Sequence, residues 1–288
     1  MNDLKIGFVG LGAMGLPMAG HLARAGLLCA VWNRSHDKAV AAARQFNVAA
    51  PATIAQLAPM CNVIALCVPA DADVLDLAHQ IAAHANAGTI VVDHSTVSSV
   101  TAKSAHAILA EKGCAFLDAP VSGGIEGANN GKLSMMVGGD ANTLVGVRPA
   151  LDCYALRISH MGGVGAGQNT KAVNQVLVAG IAQAVCEGLA LSEQLGLDPE
   201  RLLPTLGAGA AGNWFLDKRG ATMLRGEFKV GFRLALLHKD LKIVRELSVA
   251  AGTDRSVIEK SLADYAVLVA QGHGDEDISA LIRLKRKR

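Results

Sequence analysis

The stretch that decides the fold is the glycine-rich loop Gly10-Leu11-Gly12-Ala13-Met14-Gly15, which follows the apolar run Lys5–Gly10. A helix-like run with Pro17 near its first turn comes directly after the loop. In this spacing the first glycine permits a tight turn, the second lets the backbone approach a pyrophosphate, and the third lets helix and strand pack closely. Unpaired N–H groups at the helix N-terminus favour the anion. The loop therefore predicts a dinucleotide site; the alternative is a glycine turn that serves helix packing alone.

The end of the second predicted strand, Leu28–Trp32, bears on the choice of dinucleotide. Asn33 stands 23 positions after Gly10, where a site that prefers NAD usually carries an acid for the ribose hydroxyls. This chain has no acid there. Asn33 can hydrogen-bond the ribose side, Arg34 can stack on adenine or pair with a 2′-phosphate, and Ser35 can donate to that phosphate. The pattern favours NADP(H), with NAD(H) as the alternative; Arg34 can also be an ordinary surface residue at a strand end.

Strand and helix patterns alternate from Leu4 to about Ala119. Three further apolar runs, Val63–Val68, Thr89–Asp93 and Ala115–Asp118, are separated by Ala-rich stretches of helical length. This alternation is typical of βαβ units on a parallel sheet. The fold class predicted is therefore α/β, a Rossmann-type doubly wound parallel sheet over residues 1–163.

The second half of the chain predicts only helices. Asn169–Leu195 is apolar on nearly every face, a pattern typical of a buried helix. The helical patterns that follow are Asp198-Pro199 onward, Asn213–Leu224, Phe232–Ala251 and Asp254–Val269. A cluster of four glycines between residues 162 and 167 indicates the boundary. We therefore predict an all-helical C-terminal domain over residues 164–288.

Composition argues for small-molecule chemistry. The 288 residues are 51% hydrophobic and carry a net charge of +2, so no long-range field favours nucleic acid or an anionic membrane. No run approaches the roughly 18 unbroken apolar residues of a membrane span, and we expect a cytoplasmic protein. Six cysteines without CxxC spacing are expected to be reduced core residues, and nine histidines without HExxH spacing predict no metal site. The basic run of Arg283 and Lys285–Arg288 is expected to be a solvated tail.

Five blocks match one family pattern, in order and over nearly the whole chain. The blocks are Gly10–Ala19, Asp93–Val97, Asp118–Gly124 with its continuation Met136–Gly139, Gly165–Gln175, and Lys239–Leu241. Together they resemble the β-hydroxyacid dehydrogenases, which include 3-hydroxyisobutyrate dehydrogenase, tartronate semialdehyde (2-hydroxy-3-oxopropionate) reductase and glyoxylate/succinic semialdehyde reductases and are related to 6-phosphogluconate dehydrogenase. The resemblance implies hydride transfer between NADP(H) or NAD(H) and a small carboxylated aldehyde or hydroxy acid, with the active site between the two domains. It also implies a homodimer or homotetramer.

Two of these blocks carry the predicted chemistry. The Ser122 hydroxyl beside the N–H groups of Gly123 and Gly124 forms a donor cluster suited to a carboxylate, and in the family this segment grips the acid group of the substrate. Lys171, Asn174 and Gln175 share one face of a helix, because they are three and four residues apart. By resemblance Lys171 is the general acid that protonates the carbonyl oxygen, and Asn174 orients the substrate. Many relatives carry Asn where this chain has Gln175, which is assigned to the substrate.

The resemblance assigns the remaining site residues. Those of the cofactor site are Val68, Pro69, Thr96 and Lys239, and those of the substrate side are Trp214, Phe232 and Asp240. The substrate itself stays open, because the segment Gly207–Asp217 matches no subgroup closely. Two alternatives remain on the same evidence: an imine reductase-like enzyme, and a non-catalytic cofactor-binding module.

Overall fold

The computed structural model describes residues 4–286. The chain folds into two compact units, Met1–Lys171 and Ala172–Arg288. One continuous helix, Ala166–Gln194, belongs to both units, and its first turn packs with the N-terminal one. The sequence-based boundary between residues 163 and 164 stays a prediction.

The N-terminal unit is built on one sheet. Its strands, among the described residues, are β1 Ile6–Val9, β2 Leu28–Trp32, β3 Val63–Leu66, β4 Ile90–Asp93, β5 Ala115–Asp118, β6 Val121–Ser122, β7 Leu133–Gly138 and β8 Ala155–Gly162. The order is β2-β1-β3-β4-β5-β7-β6, and β8 pairs with β7. The first five strands are mutually parallel and confirm the prediction, whereas β7 runs antiparallel to β5 and β6. The sequence analysis missed the last three strands, because β6 has two residues and β8 lacks the continuous buried apolar run of an inner parallel strand.

Helices cover both faces of this sheet. They are α1 Gly15–Arg24, α2 His36–Phe46, α3 Ile54–Leu57, α4 Asp71–His84, α5 Ser99–Ala110, α6 Gly124–Asn129, α7 Ala141–Leu151 and the start of α8 Ala166–Gln194. Buried side chains of α1, α2 and α7 form one apolar cluster, and those of α3, α4 and α5 form another. The chain crosses from β2 past β1 to β3, so the carboxyl ends of β1 and β3 border the crevice where such sheets bind ligands. The six cysteines are free thiols, three buried and three half-buried.

The C-terminal unit is helical, as predicted. Besides α8 it contains α9 Pro199–Ala208, α10 Trp214–Leu224, α11 Leu234–Ala251, α12 Ser256–Ala270 and, after a 3₁₀ turn at Ile278–Leu281, α13 Ile282–Lys285. Asp198 and Asn213 begin α9 and α10 by accepting hydrogen bonds from the amides of Glu200 and Leu216, respectively. The Rossmann-type sheet followed by helices thus confirms the predicted fold class.

Within a single chain, helix α8 is buried on one side only. One side contributes Ala179, Ala182 and Cys186 to the core. The opposite side exposes apolar side chains, namely Val173, Leu177, Ile181, Leu191 and Leu195. The helix is long and apolar enough to cross a membrane. An 18-residue segment of it has a mean hydropathy of 1.5, and 39% of that segment is buried within the protein. One such helix is weak evidence for a membrane span, because the core helix of a soluble protein passes the same test.

The basic residues near the C-terminus are not a solvated tail. Arg283, Lys285 and Arg286 each form an ion pair with an acidic side chain from another part of the unit. The partners are, in the same order, Glu276, Asp264 and Glu193. The Arg286 guanidinium also donates to two backbone carbonyls at the end of α10. A run of like charges does not reveal partners that are far away in sequence. Residues 287–288 of the run lie outside the described residues.

Candidate active site

The glycine loop has the geometry of a dinucleotide cradle. Gly10 has a φ of +96°, and a Cβ there would lie 2.3 Å from the carbonyl oxygen of Cys67. A Cβ on Gly15 would lie 1.9 Å from the carbonyl oxygen of Gly10. The fold itself therefore requires both glycines. At Gly12 a Cβ would meet no described atom within 4 Å other than those of its chain neighbours, so the packing of the chain does not require this glycine. Gly12 and Ala13 are both exposed, so these residues fit a nicotinamide dinucleotide and would hold its pyrophosphate.

The residues after β2 include Asn33, which is hydrogen-bonded to the glycine loop, and Arg34, whose guanidinium is exposed. Asn33 Oδ1 accepts from the Leu11 amide at 3.0 Å, and Asn33 Nδ2 donates to the carbonyl oxygen of Ser35 at 3.2 Å. Asn33 thus ties the ends of β1 and β2 together, a contact the sequence analysis did not anticipate. The Arg34 side chain is 81% exposed and reaches Asp73 at 3.3 Å. Ser35 is the N-cap of α2 but makes no side-chain capping bond.

Backbone and side-chain hydrogen bonds join the loops after β3 and β4. The amide of Val68 donates to Ser95 Oγ at 2.9 Å, and the amide of Ser95 donates to Asp93 Oδ1 at 2.9 Å. Pro69 is exposed and Thr96 is half-buried. The predicted cofactor residues Val68 and Thr96 therefore belong to loops that share one hydrogen-bond network.

Two titratable side chains lie buried beneath these loops. Burial raises the pKa of Asp93 to about 7, and the charges of Asp118 and Asp71 act in the same direction. Among the described residues, Asp93 Oδ2 has no hydrogen-bond partner. Burial lowers the pKa of His94 to about 4, so this imidazole is neutral at physiological pH. Its ring nitrogens lie 2.9 Å from the Ala119 carbonyl oxygen and 2.9 Å from the Tyr154 hydroxyl. Asp93 and His94 therefore hold the loop after β4 through buried hydrogen bonds.

Asp118, at the end of β5, fixes the start of α8. Its Oδ1 accepts from the Gly165 amide at 2.8 Å, and its Oδ2 accepts from the Gln168 amide at 2.9 Å. A Cβ on Gly138 would lie 2.4 Å from Asp118 Oδ1, and one on Gly167 would lie 2.5 Å from the Asp118 carbonyl oxygen. Both parts of the Asp118–Gly139 block and the Gly165–Gln175 block therefore meet at one buried carboxylate. In the sequence Asp118 stood out only as a strand end; the glycines Gly138 and Gly167 were the available signal for a close backbone approach.

The predicted proton donor and the predicted carboxylate-binding loop meet in the N-terminal unit. Lys171 is 7% exposed, and its Nζ donates to the carbonyl oxygen of Val121 at 2.9 Å. Ser122 follows immediately and is half-buried. Gly123 and Gly124 have φ values of +128° and +61°, a backbone that favours glycine, and α6 begins at Gly124. The lysine thus lies beside the serine–glycine loop although 49 positions separate Lys171 from Ser122 in the sequence.

In the C-terminal unit four of the predicted site residues form a chain of hydrogen bonds. Asn174 Nδ2 donates to Gln175 Oε1 at 2.8 Å, and Gln175 Nε2 donates to Asp240 Oδ2 at 2.7 Å. Lys239 Nζ lies 3.0 Å from Asp240 Oδ1. Gln175 and Asp240 are buried. Gln175 therefore fixes the side chain of Asn174, and Asp240 fixes that of Lys239. Their predicted contacts with substrate stay predictions.

Trp214 and Phe232 are held by a separate ion pair of the same unit. Asp277 Oδ1 lies 3.3 Å from Arg219 Nε, and its Oδ2 accepts from the Phe232 amide at 3.0 Å. The Arg219 guanidinium lies 5.4 Å from the ring centroid of Trp214, which is 52% exposed. Sequence reasoning missed Arg219 and Asp277, because neither lies in a motif.

Two family models match the chain, one on each half. Residues 5–163 match the NAD binding domain of 6-phosphogluconate dehydrogenase. Residues 165–285 match a model described as the NAD-binding domain of NADP-dependent 3-hydroxyisobutyrate dehydrogenase. The chain thus matches nicotinamide-dinucleotide enzymes along nearly its whole length.

Individual relatives are similar over their full lengths. The chain is 34% identical to an NAD-dependent L-serine dehydrogenase of Pseudomonas aeruginosa, covering 97% of each chain. It is 32% identical to 2-hydroxy-3-oxopropionate reductase of Escherichia coli, covering 97% of this chain and 96% of that one. Its fold superposes on Mycobacterium tuberculosis 3-hydroxyisobutyrate dehydrogenase with L-serine at a TM-score of 0.89, with 32% identity and 99% coverage of both chains. The chain therefore belongs to the β-hydroxyacid dehydrogenases, NAD(P)-dependent oxidoreductases that act on hydroxyl groups.

Proposed function

We propose that this enzyme transfers a hydride between NADP(H) and a small β-hydroxy acid or the corresponding carboxylated aldehyde, with Lys171 as general acid and base. The observation that carries the proposal is the 2.9 Å hydrogen bond between Lys171 Nζ and the Val121 carbonyl oxygen. It brings an ammonium group next to the Ser122–Gly124 loop, so one substrate can contact both. In a small substrate the reacting carbon is only one or two bonds from the carboxylate. A substrate whose carboxylate is held by that loop would therefore have its reacting carbon near Lys171.

The residues divide the work of the reaction. The nicotinamide supplies or accepts the hydride when bound. The loop Gly10–Gly15 binds the pyrophosphate, and Ser122–Gly124 bind the substrate carboxylate. In reduction Lys171 Nζ donates a proton to the carbonyl oxygen, and in oxidation the neutral amine takes that proton from the hydroxyl. The ammonium also stabilises negative charge that develops on the oxygen. Asn174 orients the substrate, and Gln175 fixes the amide of Asn174.

Relatives suggest the substrate class. The named compounds L-serine, 3-hydroxyisobutyrate and the glycerate formed from 2-hydroxy-3-oxopropionate share a primary alcohol β to a carboxylate and differ in one substituent at Cα. We propose a β-hydroxy acid with this backbone (hydroxymethyl, Cα and carboxylate) as substrate, with glyoxylate and succinic semialdehyde as the other candidates. If Ser122 and the following amides hold the acid group, aldehydes without one turn over poorly, because these donors would lack the partner that the site is built to bind.

The cofactor proposal is a preference for NADPH. Its support is the exposed Arg34 guanidinium and the absence of an acid after β2. A structure described as Psf3 in complex with NADP⁺ and 2-OPP, 26% identical with a TM-score of 0.88 over 97% of this chain, is a relative with that cofactor. Asp73 pairs with Arg34 and competes with a 2′-phosphate for it.

We also propose a homodimer or homotetramer. The support is the exposed apolar row of α8, which includes Val173, Leu177 and Ile181. Replacing Leu177 by Glu is expected to shift the mass measured by light scattering toward the monomer; an unchanged mass contradicts assembly through this row. A cytoplasmic location stays a prediction.

The decisive experiment compares Lys171→Ala with wild type on a panel of β-hydroxy acids, carboxylated aldehydes and neutral aldehydes. We expect kcat to fall by at least about 10², the contribution of a positioned general acid, while NADPH binding and folding stay nearly normal. The matched control is Lys112→Ala, which removes an exposed lysine of the same unit. A Lys171→Ala enzyme that keeps more than about a tenth of kcat, less than ~1.4 kcal/mol of barrier, moves the proton donor elsewhere, with Lys239 tested next.

The same panel tests the runner-up activity. Imine reductases and reductive aminases share this fold at 17–20% identity, a likeness that concerns the fold alone. Cyclic imines added to the panel are expected to react far more slowly than the carboxylated aldehydes. Faster turnover of imines would overturn the proposal in favour of that class.

A further inference from the structure

Gln168 makes an unusual set of contacts for a glutamine in the first turn of a helix. It is 3% exposed. Its Nε2 donates to the carbonyl oxygen of Ser95 at 2.8 Å, and its Oε1 accepts from the amide of Val97 at 3.2 Å. The side chain thus pairs with the backbone on both sides of Thr96 and fixes this loop as a neighbouring strand would.

The backbone of Gln168 is fixed as well. Its amide donates to Asp118 Oδ2 at 2.9 Å. Lys171 lies three residues later on the same helix and donates to the Val121 carbonyl oxygen. Gln168 therefore links the Thr96 loop, after β4, directly with the helical turn that carries Lys171.

We propose that Gln168 is a positioning residue that sets the distance between the nicotinamide-side loop at Thr96 and the proton donor Lys171. The inference rests on the proposed function, in which Lys171 protonates the substrate, and on the family resemblance, which assigns Thr96 to the nicotinamide end of the cofactor site. Hydride and proton must reach adjacent atoms of one carbonyl group, and a misplacement of about 1 Å can cost about 10² in rate. Gln168 itself touches neither substrate nor cofactor in this scheme.

The contacts require an amide, because one atom must donate and the other must accept. A carboxylate accepts only, so it would satisfy the Val97 N–H but repel the Ser95 carbonyl oxygen. A protonated carboxyl group has both functions and restores the pair. The pKa of a carboxyl group introduced by Gln168→Glu is therefore raised above its usual value, and the loop is held at low pH and released as the pH rises.

The test measures kcat, KM and the dissociation constant of NADPH for wild type, Gln168→Glu and Gln168→Met from pH 5 to pH 8. The charged and titratable groups around the clamp, Asp93, His94, Asp118 and Lys171, are common to all three proteins, so kcat is expressed as the ratio to wild type at each pH. We expect Gln168→Met to lose about 10- to 100-fold in kcat at every pH, with NADPH binding changed less than about threefold. For Gln168→Glu the ratio is expected to approach one at low pH and to fall toward that of Gln168→Met as the carboxyl group ionises. Gln45→Glu, on an exposed position of α2, is the matched control with a flat ratio.

Several outcomes overturn the inference. A pH-independent ratio for Gln168→Glu, or a Gln168→Met enzyme with more than half of wild-type kcat, shows that the clamp does not position the reacting groups. Urea unfolding at each pH measures the fraction of each variant that is unfolded. If that fraction accounts for the whole loss of kcat, Gln168 has a structural role only and the inference is wrong. If wild type itself reduces none of the panel substrates, the proposed function fails, while a pH-dependent stability of Gln168→Glu still reports on the clamp.

Discussion

Replacing Gly12 should separate cofactor binding from folding. A Cβ at this position meets no protein atom within 4 Å, and the residue does not have a left-handed backbone. Gly12→Ala should therefore leave the fold intact and add about 0.4–1 kcal/mol of stability, because alanine has fewer conformations in the unfolded chain. The methyl group occupies the space assigned to the pyrophosphate. We expect the dissociation constant of NADPH to rise at least about tenfold, or ~1.4 kcal/mol.

Gly15→Ala is the contrasting variant in the same loop. Its Cβ would lie 1.9 Å from the backbone carbonyl oxygen of Gly10, which cannot move without displacing the loop. We expect a loss of roughly 3 kcal/mol or more in the free energy of unfolding. For a unit of this size the corresponding decrease in Tm is roughly 6 °C or more.

Urea unfolding without cofactor, followed by fluorescence titration with NADPH, distinguishes the two effects. A Gly12→Ala protein that unfolds more easily than wild type would make Gly12 a packing residue. One that binds NADPH as tightly as wild type would mean that the pyrophosphate lies elsewhere.

Three further predictions follow from single side chains. Arg34→Ala should weaken NADPH selectively, by about 1–3 kcal/mol in kcat/KM, and equal losses with NADH would reject a 2′-phosphate contact. Burial raises the pKa of Asp93 to about 7, so its contribution to stability is present below about pH 4 and is lost as the pH rises to 7. Asp93→Asn should remove this pH dependence, up to about 4 kcal/mol between pH 4 and pH 7, from the free energy of unfolding in urea, and identical slopes would contradict the raised pKa. Arg286→Ala should cost about 1–2 kcal/mol in the free energy of unfolding, because Glu193 and two carbonyl oxygens lose their donor. Arg286→Lys should not restore it, since lysine lacks the planar fork; full recovery would show that charge alone matters.

The fold class and much of the local chemistry could be predicted from short-range patterns in the sequence. The loop Gly10–Gly15, the first five strands and the helices beginning after Asp198 and Asn213 are set by interactions between residues that are near in sequence. Strand periodicity, helix caps and glycine turns all have this local character. The family resemblance also predicted Lys171 and Ser122–Gly124 as separate elements of a site.

Tertiary structure decided which residues support that site. Asp118 caps α8, Gln168 clamps the Thr96 loop, and Asp277 holds the Phe232 amide, each across 45 or more positions of sequence. Hydrogen bonds of this kind depend on which loops meet at the carboxyl edge of a sheet or the end of a helix. Sequence periodicity does not predict which loops contact each other, because a buried Gln or Asp cannot be told from an exposed one in the sequence. The ion pairs of Lys285 with Asp264 and of Arg286 with Glu193 were missed for the same reason: these acidic partners become neighbours only when the helices pack.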